Sequence, residues 1–291
     1  MYQPAVREFA AGATGIVNAM SVDIEEWFQV GAFERTIDRA DWDRLESRVA
    51  DNTGRVLDLF AAAGVRATFF TLGWVAARQG ALIRRIVAGG HEIASHGWDH
   101  RRVFTMTPHA FRADLAQARA ALEDAAGVAV SGYRAPSFSI DARTPWAHPI
   151  LAEQGYAYSS SVAPVAHDHY GWREAPRFAW RPCGDAPLIE LPVTVGQWAG
   201  RRIATGGGFF RLLPARLTHM AVRQANRLDQ PGVFYFHPWE VDPGQPRVDH
   251  APLRSRLRHY SGIEGMADKL SDLLTRHRWG RTDAVVARLS R

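Results

Sequence analysis

Cysteine and lysine are almost absent from this 291-residue chain. Cys183 is its one thiol and Lys269 its one lysine, so 34 of the 35 basic residues are arginines. A lone cysteine excludes an intrachain disulfide, a thiolate-rich zinc site and a CxxC redox pair. The sequence also lacks any run approaching the roughly 18 apolar residues that a membrane-crossing helix needs. No basic block stands out either, because the arginines are mixed with 30 acids. Neither an integral membrane segment nor a nucleic-acid partner is therefore expected, despite an isoelectric point near 9.8. The arginine excess reads as a property of a solvated surface, with a lean towards anionic ligands.

What is present is a globular composition, 46% hydrophobic, 22% charged and 11% aromatic. That length and apolar content suffice for a full core and exclude a disordered or fibrous chain. Residues 9–22 are small and apolar and follow Arg7, but Glu8 offsets that charge and Asn18 interrupts the run. The stretch reads as a buried first strand rather than a secretion signal, so the expected location is the cytoplasm, the inner membrane face included.

Short apolar runs alternate with helical patterns. Strands are expected over 16–23, 65–72, 92–95, 128–133, 156–160, 188–193 and 233–237. Helices are expected over 44–63, 75–88, 108–126, 145–154, 214–228 and 263–277, with Thr107 and Pro108 opening the third and Gly127 closing it. This alternation predicts an α/β fold with a parallel sheet, open or closed as a barrel. Residues 162–187 and 196–210 interrupt it with proline, glycine, tryptophan and histidine and read as long functional loops. No repeat or linker divides the chain. One domain over 1–291 is expected, with a core of about 16–240 and a C-terminal extension over 241–291.

In α/β sheets and barrels the chemistry gathers where strands end. The first strand ends in Asp23-Ile24-Glu25-Glu26-Trp27; alternation points Asp23 and Glu25 the same way, as a base and a metal ligand or as a solvated acidic loop. The third ends in His96-Gly97-Trp98-Asp99-His100, a His-x3-His pair able to share one cation, although two histidines at this spacing also arise by chance. The fourth ends in Arg134-Ala135-Pro136-Ser137, where an arginine can hold a carboxylate ionised or lie on the surface. The seventh ends in His237-Pro238-Trp239-Glu240, a proton donor or a core histidine. His91-Glu92 is no zincin motif, because position 95 is serine, and Gly206-Gly207-Gly208 is no phosphate loop but a turn presenting Phe209 and Phe210. The His167-Asp168-His169 run reads as exposed loop and Cys183 as incidental.

In this order the motifs resemble the polysaccharide deacetylases of NodB-homology type, also called carbohydrate esterase family four. SVDIEEWF, TFFTLGW, GHEIASHGWDH, GYRAPSFSI, GGGFFRLLP and FYFHPWE are similar to the branch associated with exosortase (PEP-CTERM) exopolysaccharide clusters, over roughly residues 16–279. The resemblance implies a deformed (β/α) barrel of about seven parallel strands and removal of N-acetyl groups from N-acetylhexosamine units of a polysaccharide or oligosaccharide. It implies Asp23 as catalytic base, Arg134 orienting it, His237 as general acid, and His96 and His100 as ligands of a divalent metal, with zinc the expected ion.

The family's commoner signature has two adjacent acids after the first strand. Ile24 takes the second place here, so Glu25 is the expected metal carboxylate and Glu26 the substitute. The acid that often tunes the catalytic histidine is replaced by Ser159–Ser161, leaving Glu240 or Glu190 for that task. The backbone N–H of Ser137 is expected at the oxyanion, and Trp98, Phe138 and Trp239 against sugar faces, while Trp74 reads as core. The alternatives are an amidohydrolase of the same superfamily acting on a small cyclic amide, and a non-catalytic saccharide-binding relative.

Overall fold

The computed structural model describes residues 15–167 and 170–289. The readings that fall on residues 1–14, on Asp168 and on His169 lie outside the described residues. The apolar runs form β1 (Asn18–Ile24), β2 (Thr68–Thr71), β3 (Glu92–Ser95), β4 (Gly132–Tyr133), β5 (Tyr158–Ser159) and β6 (Ile189–Glu190), which pair in chain order, all parallel. After a separate antiparallel hairpin of β7 (Val195–Trp198) and β8 (Arg201–Ala204), β9 (Val233–Phe236) pairs with the other edge of β1. These seven parallel strands are buried throughout. Burial on both faces is why they read as continuous apolar runs rather than alternating ones.

The two edges of this curved sheet meet just beyond β6. The Thr194 N–H donates to Val233 O at 3.0 Å, and Thr194 Oγ1 accepts from the Val233 N–H at 2.6 Å. The result is the expected deformed barrel, joined at this seam by a short contact instead of a full ladder. A last strand, β10 (Trp279–Gly280), pairs with Asn18 and Ala19 of β1, before the point where β2 begins its own pairing.

The helices are α1 (Val49–Ala63), α2 (Gly73–Arg78), α3 (Gly80–Ala88), α4 (Pro108–Ala126), α5 (Ala147–Glu153), α6 (Gly207–Leu212), α7 (Ala215–Asn226), α8 (Leu253–Tyr260), α9 (Met266–Arg276) and α10 (Thr282–Leu289). Helix α4 follows its signals: Thr107 Oγ1 accepts from the Ala110 N–H at 3.1 Å, and Gly127 closes it at φ 67°.

The expected helix over 44–63 instead starts at Val49, after a separate 3-10 turn over Arg39–Arg44. The expected helix over 75–88 is two helices, broken at Gln79 (φ −120°, ψ 42°) in front of Gly80. The loop expected over 196–210 holds most of the β7–β8 hairpin and the start of α6, both too short for a periodic signal. The residues beyond 240 return to the sheet through β10 and α10.

Candidate active site

The strand-end residues converge at one mouth of the barrel. Asp23, the last residue but one of β1, and Glu25 just beyond it both line a single cleft of about 540 Å³, while Ile24 between them points into the core. His96 and His100 after β3, and His237 after β9, line the same cleft. That volume is in the range of small-molecule sites.

Glu25, His96 and His100 offer one ligand atom each, all within 4.8 Å of one another. Among the described residues no other group of three metal-ligating side chains does so. His100 reaches back to His96 because the connecting turn uses two left-handed residues, Gly97 at φ 76° and His100 at φ 59°. Gly97 is needed there, since a Cβ would also stand 3.1 Å from Asp114 Oδ2.

His96 Nδ1 lies 2.9 Å from Arg134 O, a contact that places its proton on Nδ1 and leaves Nε2 to face the cluster. Burial above all holds His96 at a pKa of about 4, against the pull of Asp23, so its imidazole is neutral at ordinary pH. Burial opposes ionisation of Glu25, but His100, His237 and His96 bring its pKa down to about 2. Glu25 Oε2 is buried without a hydrogen-bond donor of good geometry and faces His100 Nε2 at 2.9 Å. An anionic oxygen and an imidazole nitrogen lone pair aimed at one point are what a cation would satisfy, and two histidines with one carboxylate suit zinc.

Asp23 is held by Arg134. The guanidinium is fully buried; its Nη1 donates to Asp23 Oδ1 at 2.6 Å and Ser21 Oγ at 2.8 Å. Nη2 donates to Ser160 Oγ at 2.9 Å and Nε to Ser160 O at 3.0 Å, with the cation 4.0 Å over the Phe70 ring. A buried charge this thoroughly paired is stable in place. The turn after it puts Ser137 (φ 54°) and Phe138 (φ 49°) in the left-handed region, and both line the cleft.

His237 stands beside the cluster, with Nε2 3.7 Å from Glu25 Oε1 and Nδ1 3.1 Å from Glu240 Oε2. Burial would discharge it, but Glu25 and Glu240, with Asp23 beyond, raise its pKa to about 9. A cation on Glu25 would offset that carboxylate's pull and leave Glu240 as the group that keeps His237 protonated. Of the two acids open for this task, Glu190 is engaged elsewhere, bonded to His148 Nε2 at 3.0 Å and to the Ser161 and Val162 N–H groups.

The Glu25–Glu26 alternative also resolves geometrically. Glu26 turns away to accept from the Ser47 hydroxyl and, at 3.0 Å, from the Arg48 N–H at the start of α1.

Two expected sugar platforms are placed otherwise. Trp98 is not among the cleft-lining residues. Its ring packs where a Cβ on Gly73 would come within 2.6 Å, and its backbone N–H donates to Asp114 Oδ1 at 3.2 Å. Trp239 lines the cleft, but its ring stacks at 18° on both His237 and His259, with centroids 5.1 and 4.3 Å away. Its indole N–H donates to Glu25 Oε1 at 3.1 Å, so it positions the carboxylate. The aromatic wall comes instead from Phe138, His167, Tyr170, Phe209 and Tyr235, with His167 and Tyr170 stacked at 4.1 Å. Trp74 packs against the core with Arg78 over its ring, and burial pushes the Cys183 thiol up to about 11, leaving it unreactive.

Sequence reasoning missed Arg211 on α6. Its Nε donates to Glu240 Oε1 at 2.6 Å and its Nη1 to His259 O and Ser261 O. The lone lysine secures that helix: Lys269 Nζ donates to the carbonyls of Phe210, Arg211 and Leu213 at 3.2, 2.7 and 3.2 Å. No spacing rule links residues 211, 240 and 269, because the links form across the fold.

Asp114, which supports the His-x3-His turn, offers a pH test. Burial above all pushes its pKa up to about 7 from 3.8, with Asp99 adding and the Trp98 N–H opposing. Its contribution to stability is complete below about pH 3.8 and is lost as pH rises towards 7. Asp114→Asn is therefore expected to match the native protein in urea midpoint near pH 4 and to exceed it at pH 8, by on the order of 2 kcal/mol.

The fold and the cluster define a (β/α)-barrel protein with an arginine-held acid beside three residues that could hold a metal ion. Residues 36–159 match the family described as polysaccharide deacetylase, and residues 160–287 match a domain of unknown function (DUF3473). A chitooligosaccharide deacetylase of Bradyrhizobium sp. (strain ANU 289) is 32% identical over 130 residues, which cover 45% of this chain and 53% of that protein. A chitin deacetylase of Pestalotiopsis sp is 33% identical over 93 residues, 31% of each chain. The matched stretches thus span about half of the one relative and a third of the other. A crystal structure from Mycobacterium smegmatis, assigned by its name to the polysaccharide deacetylases, covers 98% of this chain and 95% of its own at a TM-score of 0.62 and 20% identity. At that identity it speaks for the fold alone.

Over residues 36–159 the chain is similar to the polysaccharide deacetylases. Asp23 and Glu25 precede that match and His237 follows it, yet the barrel joins all three in one cleft.

Proposed function

We propose that the protein is a metal-dependent N-deacetylase acting on N-acetylhexosamine units of an exopolysaccharide, and that both matched segments build a single deacetylase domain. The observation that carries this reading is the grouping in one cleft of the Asp23–Arg134 pair, the Glu25–His96–His100 cluster and a protonated His237. Loss of any one of these would favour a binding module, and all are in place.

A divalent ion held by Glu25, His96 and His100 would supply Lewis acidity and acidify a bound water. The remaining roles fall to the chain. Asp23, oriented by the Arg134 guanidinium that Ser21 Oγ helps hold in place, accepts the proton of the attacking water. The left-handed turn leaves the backbone N–H of Ser137 for the oxygen that gains charge at the acyl carbon, while the Phe138 N–H closes the turn on Ala135 O at 3.0 Å. His237, its Nδ1 held by Glu240, delivers a proton from Nε2 to the departing amine, which leaves a free amino sugar and acetate. Trp239 fixes Glu25, and the aromatic wall offers faces to the sugar.

Acetate release from N-acetylhexosamine oligomers, measured with zinc present, tests the reading. Release by the native protein is the expected result. If the oligomers yield no acetate while a small cyclic amide is hydrolysed, the amidohydrolase reading replaces this one. Binding of oligomers without hydrolysis of either would make the protein a saccharide-binding relative.

A further inference from the structure

Helix α7 turns a basic face to solvent. Thr218, His219, Ala221, Val222 and Ala225 form its buried side, while Arg216, Met220, Arg223 and Arg227 are exposed. At 3.6 residues per turn these four fall within about 60° of one another, in a stripe about 17 Å long. The helix sequence ARLTHMAVRQAN contains no acid. Among the described residues none of the three arginines makes an ion pair.

Neighbouring acids do not neutralise the stripe. Asp272 on the adjacent α9 is taken by His219 and Arg276, at 2.9 and 2.5 Å. Asp229, just past the end of α7, pairs with none of the three arginines. Arg216 stands in the first turn, where the helix dipole disfavours a cation, so its charge does not serve the helix.

Exposed apolar side chains gather on the same segment. Of the six large hydrophobic residues exposed among the described residues, Leu212, Met220 and Leu228 lie within residues 212–228, at 53, 44 and 56%. Met220 sits inside the stripe and Leu228 follows Arg227. Leu212 lines the cleft and precedes α7 by three residues, so the stripe begins at the cleft's rim. It then runs down the flank of the barrel, because β9 has to return the chain to the cleft at His237.

We propose that this face binds an anionic lipid surface, with Arg216, Arg223 and Arg227 on headgroup phosphates and Met220 and Leu228 at the acyl boundary. The contact would hold the cleft's rim beside a membrane, and it stands apart from the deacetylase reading. Arginine suits phosphate because its planar fork meets two oxygens at once. A soluble acidic polymer would satisfy the arginines but leave Met220 and Leu228 against water. A bilayer interface offers anionic headgroups and hydrocarbon within about 10 Å of each other.

The test is co-sedimentation of the full-length protein with vesicles of phosphatidylcholine, alone or mixed with phosphatidylglycerol. The mixed vesicles are expected to bind about 100-fold more tightly, at about fivefold per arginine. That preference should weaken at high salt and fall to about threefold or less in Arg216→Gln/Arg223→Gln/Arg227→Gln. Met220→Ser/Leu228→Ser should weaken binding to the mixed vesicles about tenfold. All these positions are exposed, so circular dichroism and urea midpoint should stay native.

Equal binding to the two kinds of vesicle overturns the proposal, and so does an anionic preference that the triple substitution leaves intact. Vesicle binding untouched by the double serine substitution also overturns it, since charge alone would then account for the contact. Polyglutamate is the soluble probe. If it binds in an arginine-dependent way while the mixed vesicles do not bind, the face takes an acidic polymer and the proposal falls. Should the triple variant fail to fold, Arg223→Gln alone decides: a loss of about fivefold is expected, and no loss overturns the proposal.

Discussion

Asp23→Asn is expected to lower kcat/KM for acetate release by about 10²–10⁴-fold, the usual contribution of a positioned general base. Asparagine keeps an oxygen within reach of Arg134 Nη1 but accepts no proton from water. The loss should fall on kcat, because a general base acts when the proton moves and not when the sugar docks. Stability should fall as well. Arg134 is fully exchanged from solvent into Ser21, Ser160 and Asp23, and Asp23 is its one anionic partner at 2.6 Å. Removing a partner's charge from a buried pair costs about 3 kcal/mol or more. Activity is therefore to be read per folded molecule, with circular dichroism and urea titration alongside. A variant that is folded and keeps kcat within tenfold of the native value would show that another group takes the proton.

Removing the metal is expected to have a still larger effect. The native protein should bind about one divalent ion, and a chelator should take acetate release to background, with recovery on adding zinc. Glu25→Gln should weaken zinc binding by about 100-fold or more, since it removes the one anionic donor of the cluster, whereas Glu26→Gln should leave it nearly unchanged. The contrast follows from placement: Glu25 Oε2 faces His100 Nε2 at 2.9 Å, while Glu26 caps the start of α1 through the Arg48 N–H. Calorimetry with zinc measures both without reference to turnover. If Glu26→Gln loses zinc and Glu25→Gln retains it, the cluster is misassigned. If chelation leaves acetate release intact, the metal-dependent reading fails.

Much of the site was legible because its parts are local. Asp-x-Glu after an apolar run puts two carboxylates on one side, as the common cleft position of Asp23 and Glu25 bears out. His96 and His100 meet through a five-residue turn whose left-handed residues include a glycine. Seven apolar runs became seven parallel strands because both faces of each are covered, and burial on both faces is written directly into composition. Boundaries were less legible. The single helix expected over 75–88 breaks at Gln79, and the β7–β8 hairpin is too short to impose a period.

The sequence by itself settled the chemical inventory: no thiol cluster, so that only histidine and carboxylate could form any metal group, and acids, histidines and an arginine at the ends of successive strands. Only the tertiary structure chose among equivalents. It placed Glu25 and not Glu26 with His96 and His100, and Glu240 and not Glu190 against His237, set Trp98 and Trp239 against protein neighbours, and brought in Arg211, held through its helix by the one lysine. Strand and helix signals come from neighbours within a few residues, set by backbone geometry. Contacts such as Arg134–Asp23 or Trp239–Glu25 join positions 111 and 214 residues apart, and they exist only once the barrel has curved and brought its strand ends around one cleft.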